Sequence, residues 1–159
     1  MDVNRRALVL LGLAVVLLLA VGLYTNPALL ITGYDTTTVE AVDGETDETL
    51  ATAEVRVADT FLKRYVGLSA TEELGPNEGM LFVHDEPGEY GYVMRDMAFA
   101  IDIVFVDADG TVTRIHEAEP ESRPLTVYEG HGQYVLEVPM GWSADNDVEP
   151  GDRIVFELP

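Results

Sequence analysis

The chain predicts a mainly β domain, a compact β-barrel or sandwich with one or two short helices, carried behind one N-terminal transmembrane helix. Three observations lead there. An uninterrupted apolar run fills Ala7 to Leu23. Beyond it, short stretches rich in β-branched and aromatic residues recur between Gly, Pro and Asp. Finally, 159 residues less such a leader suffice for one hydrophobic core and not for two.

The apolar run comes first. At about 1.5 Å rise per residue it covers roughly 25 Å, close to the lower limit for a bilayer core of about 30 Å. Ala28 to Ile31 extend it beyond Pro27, Tyr24 stands where an interfacial aromatic belongs, and Asn26-Pro27 marks a helix break. Arg5 and Arg6 precede the run and a long acidic stretch follows it, a charge order that keeps the N-terminus inside and exports the remainder. A cleaved signal peptide is the competing reading, but its apolar core spans only about 7 to 15 residues and ends in a small-x-small site, which nothing after Leu23 supplies. A buried helix of a soluble protein is a third. Arg5-Arg6 also fit a twin-arginine export signal, although plain positive-inside charge accounts for them. The expected organisation is a cytoplasmic N-terminus at 1–6, an anchor or uncleaved signal at 7–24, a linker at 25–36 and an extracytoplasmic domain at 37–159. The corresponding localisation is the cell membrane, single-pass, with the membrane as first partner.

Each element of the domain has its own signal. Val39 to Val42 and an Asp43-Gly44 turn precede Ala51 to Ala58, whose alternation of small apolar residues with Thr52, Glu54 and Arg56 reads as a half-buried strand. Asp59 or Thr60 caps a short helix through Val66, with Phe61, Leu62 and Tyr65 inward and Gly67 ending it. Ser69 with Glu72 matches a capping box for one more turn, stopped at Gly75-Pro76. Strands follow at Met80 to Val83, Tyr90 to Met94, Ile101 to Asp107, Val112 to Glu117, Tyr134 to Pro139 and Ile154 to Leu158. Ile101 to Val106 is apolar except for Asp102 and so predicts a strand buried on both faces. Asp107-Ala108-Asp109-Gly110 turns the chain into its partner; its likeness to a calcium loop lacks the later acidic ligand, since Ala118 stands there.

Composition excludes whole classes of function. Asp and Glu number 29 against 9 for Lys and Arg, a formal net charge of -20, so a nucleic-acid partner is not expected. Lys63 is the only lysine, and acid spread along the whole domain is the composition of a protein working in concentrated salt, where the Debye length is about 3 Å at 1 M. There is no cysteine, which removes disulfides, thiolate metal sites and cysteine nucleophiles.

Several separated motifs together resemble one family. Glu78-Gly79-Met80-Leu81-Phe82, Met94-Arg95 leading to Ile101-Asp102, Phe105-Val106-Asp107 with Gly110, and Tyr134-Val135-Leu136-Glu137-Val138 with Gly141 and Gly151-Asp152 are similar to the domain of unknown function 192 family. Arg64 with Gly67-Leu68 matches its early helix, and the resemblance runs from about Val55 to Val155. It implies a compact β-rich fold that often follows a signal or anchor, in a family without a settled biochemical activity. The acidic composition predicts a membrane-anchored haloarchaeal member. This chain departs from the family's central Trp-Met-Lys-Asn-Thr pattern with Val93, Met94, Arg95, Asp96 and Met97.

The candidate ligand-binding set is Arg64, Met94, Arg95, Asp102, His116 and Glu137. Asp102 heads it, because a carboxylate inside an apolar strand must be paired or hydrogen-bonded. It either holds Arg95, Arg64 or a backbone turn, or belongs to a pocket for a small polar ligand. His84, His116 and His131 neighbour acids yet lack zinc spacing, and Met80, Met94, Met97 and Met140 read as core packing. No catalytic residue, metal ligand or cofactor is assigned. The leading expectation is a non-enzymatic extracytoplasmic module that binds a small polar ligand or another envelope protein. The alternatives are an envelope hydrolase using Asp102 and His116 as acid and base, or a purely structural interaction domain.

Overall fold

The computed structural model describes residues 2–25 and 33–159. The expected break at Asn26-Pro27, the apolar extension Ala28 to Ile31 and linker residues 26–32 lie outside the described residues. The chain forms two units, one at the N-terminus and one spanning Tyr34–Pro159.

The first unit is a single helix, α1 (Asp2–Thr25). Its Leu8–Thr25 stretch is long and apolar enough to cross a membrane by length and composition, a test that a signal sequence also passes.

The second unit contains seven strands: β1 (Thr36–Val42), β2 (Thr49–Ala58), β3 (Glu78–Tyr92), β4 (Ile101–Val106), β5 (Val112–Ala118), β6 (Tyr128–Pro139) and β7 (Arg153–Phe156). Two short helices join them, α2 (Phe61–Val66) and α3 (Trp142–Asp145). The strands make one sheet in the order β5-β4-β6-β3-β2-β1-β7. Its two edges meet at one corner: Thr111 bridges Arg153, Val112 donates to the Asp152 carbonyl and Ile154 to that of Gly110, each at 2.8 Å. The sheet therefore curls into a half-barrel, and the barrel is the closer of the two architectures predicted.

Because antiparallel partners point to the same side and neighbours alternate, the sheet carries two apolar layers. Val39, Val55, Leu81, Val104, Leu136 and Ile154 fill the inside together with Trp142 and Val148. Met80, Phe82, Ile103, Phe105 and Val135 form the outer layer with Leu68 and Met94. All six residues of β4 are buried, as expected of a strand covered on both faces. The turn after it is a hairpin, closed by Asp107 donating to the Thr111 carbonyl and by Asp109 Oδ1 accepting from Thr111 N.

One pair breaks the antiparallel pattern: β2 and β3 run parallel. Parallel neighbours need a crossover that climbs back over the sheet, and here it carries α2 and the 3-10 turn Gly67–Ala70. Thr60 caps α2 by accepting from Lys63 N, and Gly67, at φ 53, ends it. The inward assignment of Phe61 and Tyr65 is corrected: they are 76% and 49% exposed and stack on each other at the outer edge, leaving Val66 as the buried anchor. The predicted capping box at Ser69 is instead part of the 3-10 turn, with Ser69 Oγ donating back to the Val66 carbonyl. β3 joins two predicted strands into one, irregular between Val83 and Gly88, and β6 starts well before Tyr134. Gly130 and Gly132 are strand residues of β6 at positions where a side chain has no room. A Cβ on Gly130 would lie 2.5 Å from the Phe105 ring, and one on Gly132 2.6 Å from the Val106 carbonyl oxygen.

Candidate site beneath the crossover helix

Glu137 sits on β6 opposite Met80 of β3 and Ile103 of β4, so its side chain joins the outer layer beneath α2. A cavity of about 440 Å³ opens there, bounded by α2 and the 3-10 turn, by β3 and by the loop that follows it. Glu137 is only 6% exposed and its carboxyl makes no hydrogen bond among the described residues, yet it lines this cavity. Burial without a partner disfavours the charged form, and it pushes the Glu137 carboxyl up to about 8.

The walls are aromatic. Phe82 and Tyr92 meet edge to face at 5.1 Å, and the His84 ring lies flat on Tyr90 at 3.5 Å. Alternation along β3 gives Tyr90 and Tyr92 the same face. Tyr92 Oη and His84 Nε2 share a hydrogen bond of 2.9 Å. Burial, with the Glu137 carboxyl adding to it, holds the Tyr92 phenol far above its ordinary range. Burial, reinforced by Arg64, pushes the His84 imidazole down to about 4. Both rings are therefore neutral at neutral pH.

Two guanidinium groups complete the cavity. Arg64 Nη1 donates to the carbonyls of Val83 at 2.7 Å and Asp59 at 3.0 Å, which fixes α2 against β3. Arg95 donates to the Tyr65 carbonyl and stacks over the Tyr65 ring at 4.2 Å from its centre.

Of the predicted site residues, Arg64, Arg95 and Glu137 thus line one cavity. Met94 lies 1% exposed in the outer core layer instead of lining it. His116 shares the Glu137 face but bonds the Glu129 carbonyl at 2.9 Å, between Phe105 and Tyr128. Asp102, 1% exposed, faces the other way: Oδ1 accepts from Gly141 N at 3.0 Å and Oδ2 from Ser143 N at 2.8 Å, at the start of α3. Holding a backbone turn is one of the roles expected of it. The hydrolase pairing of Asp102 with His116 is corrected here. His116 pairs with Ile103 whereas Asp102 pairs with Glu117, so the two side chains occupy opposite faces of the sheet and cannot reach the same atom. Among the described residues no group of three or more His, Asp or Glu could hold a metal ion. The residues that sequence reasoning missed are His84, Tyr90 and Tyr92; the alternation Tyr90-Gly91-Tyr92 was their available signal.

The chain is similar to proteins already known. The model of the DUF192 family, described as an uncharacterized ACR, matches residues 42–156. A UPF0127 protein of Thermococcus sibiricus is 32% identical over 111 residues, spanning 67% of this chain and 68% of that protein. A crystal structure from Sinorhizobium meliloti 1021, described as a candidate transcription regulator, superposes with a TM-score of 0.73 at 27% identity, covering 79% of this chain and 97% of the other. A protein of unknown function from Novosphingobium aromaticivorans DSM 12444 gives 0.67 at 27% identity, covering 79% and 88%.

Proposed function

The chain belongs to the DUF192 (UPF0127) family, and from that premise we propose that its Tyr34–Pro159 unit is a non-enzymatic module that binds a small ligand in the Glu137 cavity. One observation carries this reading: a carboxyl almost wholly withdrawn from water, without an internal partner, lining an open cavity with aromatic walls and two guanidinium groups. An unpaired polar group costs stability in a fold that needs it only for packing, and a concave apolar site with a few convergent polar groups is the usual form of a ligand pocket. The test is a thermal-shift screen of the full-length chain in lipid nanodiscs against small polar and aromatic compounds, with Arg95→Gln as control. A stabilising compound whose effect vanishes in the variant supports the reading, and a screen without such a compound counts against it.

Delivery to the outer face of the cell membrane belongs to the same proposal. It is supported by the apolar Leu8–Thr25 stretch following Arg5 and Arg6. Protease protection of intact cells tests it: the domain is expected to be digested from outside, and full-length chain in the cytosol without detergent would sink the topology. A salt-adapted source is also proposed, on the net charge of -20. The same charge opposes a role on DNA, which the description of the Sinorhizobium protein would otherwise suggest.

A further inference from the structure

Arg64 and Arg95 are two of the seven basic side chains outside the N-terminal segment of a very acidic chain, and both line one cavity. Of the other five, Lys63 pairs with Asp59 at 2.9 Å and Arg153 with Asp47, while Arg56, Arg114 and Arg123 lie outside this cavity. Arg64 and Arg95 meet no carboxylate at ion-pair distance among the described residues. They are fixed by backbone carbonyls, Arg64 through Nη1 to Val83 and Asp59, and Arg95 through Nη2 to Tyr65. A neutral anchor leaves a guanidinium its full charge, and with five N–H donors on each group most of the fork remains for something else. Held forks of this kind recognise carboxylate and phosphate.

The space beside them suits a flat body. His84 and Tyr90 stack face to face, with 3.5 Å between ring centres and 10° between planes, and Phe82 and Tyr92 meet edge to face, so aromatic rings line the space. Beyond these rings stands the Glu137 carboxyl, buried and without a hydrogen-bond partner among the described residues.

Resting on the cavity reading above, we propose that the ligand is an organic anion with a flat apolar body, its carboxylate or phosphate head held by Arg64 and Arg95, and a second acceptor met by the Glu137 carboxyl acting as hydrogen-bond donor. The titratable and charged groups that line the cavity with Glu137 are His84, Tyr90 and Tyr92 from β3, Arg64 and Tyr65 from α2, and Arg95 from the loop after β3, and His116 of β5 shares its face of the sheet. Burial keeps the Glu137 proton in place up to about 8, so below that pH the carboxyl donates to the ligand. Above it the cavity gains a negative charge and loses its donor, and the anion is released. His84, pushed down to about 4, adds no competing charge in that range.

Isothermal titration of the full-length chain in zwitterionic nanodiscs with indole-3-acetate and with tryptamine tests this, because the two probes share one aromatic body and carry opposite charges. Indole-3-acetate is expected to bind at least about tenfold more tightly than tryptamine, the factor a single charge-assisted hydrogen bond supplies. Its affinity should fall about tenfold or more between roughly pH 6.5 and pH 9.5. Glu137→Gln keeps an amide donor and should flatten that pH dependence while retaining binding. Arg95→Gln should weaken indole-3-acetate at every pH. Preferential binding of tryptamine overturns the ligand class and leaves the cavity reading standing. A pH dependence that persists in Glu137→Gln overturns the role given to Glu137. Binding of neither probe at millimolar concentration overturns the ligand class and the cavity reading together.

Discussion

Asp102 of β4 and Glu137 of β6 are one ladder step apart, Asp102 opposite Val138 and Ile103 opposite Glu137, and their carboxyls leave the sheet on opposite sides. Asp102 is met by two backbone N–H groups at the start of α3. Glu137 is met by none and lines a cavity. Two carboxyls of nearly equal burial thus have opposite solvation, and different consequences follow from changing each.

Asp102→Asn should destabilise the fold by about 2 kcal/mol, since one of the two N–H groups would then face an amide NH₂, and hydrogen bonds to a charged group are worth about 1.5–3 kcal/mol each. Thermal melts of full-length chain measure the loss. Binding in the Glu137 cavity should be unchanged, because the two groups lie on different faces.

Glu137→Gln should stabilise the protein at high pH. The folded-state carboxyl is raised from 4.5 to about 8, so its contribution is fully present below 4.5 and is lost as pH rises through 8. The difference in melting temperature between variant and wild type is therefore expected to grow from about pH 5 to about pH 8 and then level off. A constant difference would show that Glu137 ionises normally.

His84 contributes in the opposite sense. Its imidazole is lowered from 6.5 to about 4, so its contribution is present above 6.5 and is lost as pH falls through 4. An NMR titration of the ring protons should give a midpoint near 4, and replacing His84 with Gln should reduce the loss of stability on acidification.

Gly79→Ala should cost about 3 kcal/mol or prevent folding, the upper range for overpacking a rigid site. The added Cβ would stand 2.4 Å from the Glu137 carbonyl oxygen, a backbone atom that cannot step aside without breaking the pairing of β3 with β6. Urea denaturation or failure to accumulate folded chain reads the effect.

Potassium chloride should raise the melting temperature, since screening shortens the reach of repulsion from about 10 Å at 0.1 M to about 3 Å at 1 M in a chain of net charge -20. Equal melting in dilute and molar salt would remove the argument for salt adaptation.

A near-continuous apolar run located the strand containing Asp102, period-two alternation the strand ending at Ala58, and cap chemistry placed α2 between Thr60 and Gly67 as observed. What alternation could not supply was the side of the sheet each carboxyl faces relative to an element far along the chain. Asp102 looked like the functional group because its desolvation was visible within its own strand, whereas its remedy, the backbone of α3, lay about forty residues away. Glu137 looked like part of an ordinary strand because the cavity above it is created by a crossover between β2 and β3 that no local pattern announces. Val93, Arg95 and Met97, where the chain departs from the family pattern, all line that cavity.

The crossover has one further consequence. Its helix hangs from the two central parallel strands by both ends and is pinned by Arg64 and Val66, so its exposed residues Phe61 and Tyr65 can be exchanged without altering strand order. Descendants of one scaffold are thereby able to diversify what they admit by rewriting a roof, while the foundations keep their plan.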